Sequence, residues 1–110
     1  MTEHPFTLAD IVYWCRLKQH SLEGSGVSIT NVRQRTEHLP AVAADFSGRD
    51  AMGRINGWVS GEFDFEIVRP SDGKQLFFRH LEVSSVDALE PTYVDFLRQL
   101  LSIAEPDGPS

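Results

Sequence analysis

Glu62, Asp64 and Glu66 are the residues whose type and spacing most invite a chemical reading. They alternate with Phe63, Phe65 and Ile67 in the run Gly61 to Ile67. In an extended strand this spacing puts three carboxylates on one side and three large apolar side chains on the other. Four uses are open to such a row: metal binding, acid–base chemistry, an acidic surface for another protein, or a solvated sheet face.

The first two uses fit poorly. Carboxylates two residues apart on a strand stand about 6.6–7 Å apart, whereas Ca²⁺ gathers its oxygens about 2.3–2.6 Å from one centre. No loop of Asp, Asn and Gly supplies the missing ligands. Acid–base hydrolysis needs two carboxyl groups in different environments within a cleft, and these three share one surface. The four histidines, His4, His20, His38 and His80, lack metal-ligand spacing. Cys15 becomes a nucleophile only if the fold brings a histidine to it, and otherwise it is a core residue. Gly24-Ser25-Gly26 lacks the further glycine and helix of a phosphate loop. We therefore expect no catalytic residue, no metal and no cofactor.

The elements that position the row are legible from local pattern. Thr7 with Asp10 three residues on forms a helix start with a capping box. Leu8, Ile11, Val12, Cys15 and Leu22 follow at helical spacing, with Trp14 flanking them, and the helix stops by Gly24. Val27–Arg35 begins as an alternating strand whose pattern then fades: Asn31 and Arg33 fall on the face of Val27 and Ile29, and Val32 falls opposite. Ala41–Phe46 and Ala51–Val59 are the next two strands. Gly53 and Gly57 in the latter suggest a bulge or a close packing partner. Glu62–Arg69 is the fourth strand, Pro70-Ser71-Asp72-Gly73 a strong turn signal, and Gln75–Val83 the fifth strand. A short turn from Val86 leads into a helix from Pro91 to about Ala104, with Val94, Leu97, Leu101 and Ala104 as its stripe and Leu100 beside them. The tail, 105–110, is expected to fray.

This order, α-β-β-β-β-β-α with short links, predicts an α+β domain: a five-stranded antiparallel meander with the N- and C-terminal helices packed on one face. A four-residue turn at 70–73 sets Phe65 opposite Phe78, Ile67 opposite Leu76, Glu66 opposite Phe77, Asp64 opposite Arg79 and Glu62 opposite Leu81. The outer face then carries the carboxylates beside Phe77, Arg79 and Leu81. Trp58 can join either face.

The chain has 110 residues and a net charge of −6, enough for one domain, 1–110, that buries roughly 65% of its unfolded surface. Residues 1–60 balance six Lys/Arg against six Asp/Glu, while residues 61–110 carry four against ten. An acidic second half disfavours nucleic acid and favours a basic partner, or solubility alone. No segment approaches the ~20 apolar residues of a membrane helix. A lone cysteine and the absence of a secretory leader point to a reduced, cytoplasmic setting.

The span Leu8–Leu101 resembles the TriTu family of bacterial immunity proteins. The resemblance lies in the tryptophan-bearing first helix "IVYWCRL" and in "GRINGWVSGEFDFEIVRPSDGKQLFFRHLEV". In the latter, a strand ending Trp-Val-Ser-Gly is followed by the acid-alternating strand, an Asp-Gly turn and a Phe/His/Glu strand. The resemblance implies a small cytoplasmic antidote, without catalysis of its own, to an ADP-ribosyltransferase toxin delivered by type VI secretion. It would bind the toxin and obstruct its NAD or target site. From the residues themselves we take Glu62, Asp64 and Glu66 as steering charges, and Trp58, Phe77 and Arg79 as anchors if they lie on the outer face. An adaptor, chaperone or inhibitor of another protein is the alternative, with a small enzyme using a hidden cleft as a more distant one.

Overall fold

A computed structural model describes residues 4–104. The tail 105–110 and the Ala104 side chain lie outside the described residues. Helix α1 spans Leu8–Ser21. Its start is the expected capping box: Asp10 N–H donates to Thr7 Oγ1 at 3.1 Å, and Thr7 N–H donates to Asp10 Oδ2 at 2.9 Å. Ile11, Trp14 and Cys15 form its buried face.

Five strands follow: β1 Ser28–Arg35, β2 Ala41–Gly48, β3 Ala51–Trp58, β4 Glu62–Arg69 and β5 Lys74–Glu82. They pair in chain order as one antiparallel sheet. A 3₁₀ turn, Val86–Leu89, feeds helix α2, Glu90–Ala104. Helix α1 lies over β1 and β2 and α2 over β2 to β5, both on the same side of the sheet. The α+β meander read from the sequence is the observed architecture.

The core lies between sheet and helices. Phe63, Phe65 and Ile67 are fully buried, as the alternation requires. On α2 the inward residues are Tyr93, Phe96 and Leu100, not the expected stripe. Val94 is exposed, and Leu97 and Leu101 only flank the core. The apolar arc of α2 is wide, and the two aromatics take its centre because a large ring buries the most surface per residue.

Phe96 is the hub. Its ring meets Phe46 at 5.0 Å, Phe65 at 5.6 Å and Phe77 at 5.9 Å between centroids, each edge to face. Room for it comes from Gly53: a Cβ there would stand 2.7 Å from Phe96 Cζ. At Gly57 a Cβ would collide with the Phe63 ring. The β3 register runs unbroken on both sides. Both glycines therefore serve close packing, not a bulge.

Two other bulges exist, one on each edge strand. On β1, Thr30 is left unpaired between Ile29–Phe46 and Asn31–Asp45. That shift returns Val32 to the helix side, opposite the buried Ala44, and sends Asn31 and Arg33 outward. The fading alternation of this strand is the trace of the bulge. On β5, Arg69–Lys74 and Val68–Gln75 pair as a four-residue turn dictates, and Gly73 N–H closes that turn onto the Arg69 carbonyl at 2.7 Å. Leu76 is then skipped.

From that point each β4–β5 partner is displaced by one residue from expectation. Phe65 faces Arg79, Ile67 faces Phe77, Glu66 faces Phe78, Asp64 faces His80 and Glu62 faces Glu82. Phe77, Arg79 and Leu81 thus belong to the helix side and not the outer face. The reason is packing: the shift lets Phe77 reach Phe96 while His80 and Glu82 face solvent. The sequence contained the signal. The assumed register would have turned His80 and Glu82 toward the helices.

Phe96→Ala is expected to cost about 3–5 kcal/mol, and Gly53→Ala about 1–3 kcal/mol through overpacking. Because the two sites touch, Gly53→Ala combined with Phe96→Ala should lose less than the sum of the separate changes. Urea denaturation of the four proteins checks this, and strict additivity would contradict the packing described.

Candidate functional site

The sheet face opposite the helices is covered by no element among the described residues. Alternation on each strand, corrected by the two bulges, decides what stands on it. One row across the strands reads Arg33, Ala43, Asn56, Asp64, His80; the next reads Asn31, Asp45, Arg54, Glu66, Phe78. Trp58 lies on this face opposite Ala41. The rows are basic toward β1 and acidic toward β4 and β5.

On the acidic side Glu62, Asp64 and Glu66 are all half-buried, alternating with the fully buried apolar residues of β4. Their neighbours are Phe78, His80 and Glu82. Phe78 is 48% exposed, an aromatic ring standing in water among carboxylates. Glu66 accepts from Gln75 Nε2 at 2.6 Å. Asp64 meets His80 Nδ1 at 2.5 Å. This pair replaces the expected Asp64–Arg79 contact. Arg79 instead lies over the Phe77 ring, 4.8 Å from its centroid, on the helix side. Of the expected site residues, the fold therefore brings together Glu62, Asp64, Glu66 and Trp58 on one face, and places Phe77 and Arg79 on the other.

Glu62 and Glu82 face each other directly across the strands, a destabilising placement of like charges. One ligand atom each from Glu62, His80 and Glu82 lies within 4.8 Å of the others. The assumed register concealed this group by pairing Glu62 with Leu81. Three donors, one half-buried and two exposed, without a fourth protein ligand do not make a closed metal site. The counter-charge the geometry does supply is His80 itself. The hydrogen bond to Asp64 raises its pKa above the ordinary value of 6.5; desolvation opposes this, and the charges of Asp64, Glu62 and Glu82 add to it.

On the basic side Asp45 is clamped between two guanidinium groups. Arg54 Nε approaches it at 2.7 Å and Arg33 Nη2 at 3.0 Å. Beyond this clamp the outward residues of β2 are only Ala41 and Ala43. They floor a trough of about 470 Å³ walled by Arg35 on one side and Asn56 and Trp58 on the other.

The Cys15 thiol offers no nucleophile. It is 2% exposed, and burial pushes its pKa up to about 12, against a smaller opposing effect of Arg16. Away from the sheet face, Tyr13 and Leu17 on α1 are exposed apolar residues. Neither belongs to the apolar stripe read for this helix, and single exposed apolar residues carry no signature in spacing. No helix among the described residues is long and apolar enough to cross a membrane.

The His80 environment has a measurable consequence. Its folded pKa is raised, so the Asp64–His80 pair stabilises fully below 6.5 and loses that contribution as pH rises through the raised value. In an NMR titration Asp64→Asn should bring His80 back toward its ordinary value. The stability gap between the two proteins should be wider near about pH 6 than near about pH 8. A His80 midpoint unchanged by Asp64→Asn would refute the assignment.

No curated protein matches this chain. The family model described as Immunity protein TriTu matches residues 9–99. The match runs from the first turn of α1 to the last turns of α2 and takes in every strand of the meander. This chain belongs to the TriTu family of immunity proteins.

Proposed function

We propose that this immunity protein neutralises a cognate ADP-ribosyltransferase toxin delivered by type VI secretion, by laying its uncovered sheet face over the toxin's active or target site. The toxin class rests on the family resemblance. The choice of surface rests on one observation: the sheet face left free by both helices carries Glu62, Asp64, Glu66 and Glu82 on two adjacent strands. Grouped carboxylates speed encounter with a basic partner and suppress wrong ones. Affinity comes from a few large desolvated side chains. Trp58 and Phe78 are the aromatics on this face, and Phe78 takes the anchoring role that the sequence assigned to Phe77.

The protein acts by binding and not by turnover. The Cys15 thiol is buried, and Glu62, Asp64, Glu66, His80 and Glu82 stand on an open sheet face. Such a face occludes a partner's site well and excludes water from a substrate badly. We place the complex in the cytoplasm.

Co-expression with the toxin domain encoded beside this gene tests the proposal, with growth and pull-down as readouts. The wild-type chain should rescue growth and co-purify with the toxin. Glu62→Lys, Asp64→Lys and Glu66→Lys together should weaken binding by at least tenfold, chiefly through slower association, and flatten its salt dependence. Phe78→Ala should act mainly on dissociation. Full protection by the triple variant would sink the acidic-face reading. Loss of protection on changing Tyr13 and Leu17 to Asp instead would move the interface to α1.

A further inference from the structure

We propose that the trough over Ala41 and Ala43 receives a carboxylate-bearing side chain of the toxin, with Arg35 as its ion-pair partner and Trp58 as its apolar wall. This rests on the reading that the uncovered face is the interface, and it assigns that face a second pole of opposite charge.

The trough is built by side-chain size. Ala41 and Ala43 are the outward residues of β2 at this end, and both neighbouring strands present long ones. Adjacent strands lie about 4.8 Å apart, so the β1 and β3 walls stand about 10 Å apart. A single extended chain or loop tip fits between them. The volume of about 470 Å³ exceeds what one acidic side chain needs and leaves room for its backbone.

The charge of the trough is unbalanced. Arg33 and Arg54 share one carboxylate, Asp45. Arg35 lines the trough and pairs with no carboxylate among the described residues. Three guanidinium groups thus face one acid, which selects an anionic occupant. A carboxylate suits the site because the planar guanidinium fork can bond both of its oxygens. The half-buried Trp58 ring beside it lowers the local dielectric on complex formation and strengthens that pair.

The second pole also fixes orientation. Docking by the acidic strands alone leaves the toxin free to rotate over the face. With basic groups on β1 and β3 and acidic groups on β4 and β5, the half-turned arrangement brings like charges together, so one orientation is selected.

The test measures binding of the purified toxin domain encoded beside this gene to four forms of the full chain: wild type, Ala43→Trp, Arg35→Glu and the acidic triple variant. Ala43→Trp fills the trough from a position facing solvent, so circular dichroism should show an unchanged fold. It should weaken binding at least a hundredfold and Arg35→Glu at least tenfold. One Asp or Glu to Lys change on the toxin surface should restore the Arg35→Glu complex. Wild-type binding by both trough variants would overturn the trough and leave the acidic-face reading standing. Loss in the trough variants with none in the triple variant would do the reverse. If no charge change on the toxin restores Arg35→Glu, the ion pair is wrong. If the chain alone sediments as a dimer that Arg35→Glu splits, the occupant is a second copy, which overturns the toxin assignment.

Discussion

Two unpaired residues, Thr30 on β1 and Leu76 on β5, set the phase of both edge strands, and the outer face depends on that phase. A sheet covered on one side can bury only one set of alternate residues. Each edge strand here carries a run that would break the alternation if paired evenly. Skipping one residue restores it: Val32 and Phe77 turn to the helices, and Arg33, His80 and Glu82 turn to solvent. Bulges of this kind re-aim side chains at sheet edges. Without them the face would lose Arg33 at one end and the His80–Asp64 contact at the other.

The inner face explains why these phases are enforced. Phe96 can sit low on the sheet because β3 presents Gly53 beneath it, and it then gathers Phe46, Phe65 and Phe77 around its edges. Phe77 reaches it only through the β5 bulge. Helix α2 is held in place at its start by a polar contact with α1. Glu90 accepts from Trp14 Nε1 at 3.0 Å and pairs with Lys18 Nζ at 2.7 Å, and Lys18 also lies over the Tyr93 ring. Burial opposes the Glu90 charge, yet the hydrogen bonds from Lys18 and Trp14 outweigh it and hold its carboxyl below the ordinary range. Helix positions, glycine placement and edge-strand phase are therefore one packing solution.

What could be read from the sequence follows the same division. The β4 alternation, the Thr7 cap, the 70–73 turn and the order of elements rest on local chemistry, and all are as read. The β5 register is harder to read, because Leu76, Phe77 and Phe78 are consecutive and apolar. Two registers then bury comparable surface near the turn, and the choice falls to residues farther off: Phe96, which receives Phe77, and His80 and Glu82, which must face solvent. The same holds for α2, whose apolar arc admits several inward faces until the sheet is in place. Hence the acidic half of the candidate site was visible, while Phe78 and His80 stand where Phe77 and Arg79 were expected. The trough needs Arg35, Ala41 and Trp58 brought together from three strands, and no spacing in the chain announces that.

The two faces differ in what substitution costs, and this suits a protein whose task is recognition. Inner residues such as Phe63, Phe65 and Phe96 are wholly buried, so truncating one costs several kcal/mol of a marginal total. The outer contacts of Asp45 with Arg33 and Arg54 are surface pairs of the kind that contribute about 0–1 kcal/mol. Charges on this face can be exchanged or reversed with little effect on folding. Steering of a charged partner, by contrast, responds strongly to such changes. A sheet bolted from one side by two helices thus leaves the charges of the other side free to change at little cost to the core. The β5 bulge, which cannot be moved without disturbing the contact of Phe77 with Phe96, fixes where the outward side chains of that strand stand.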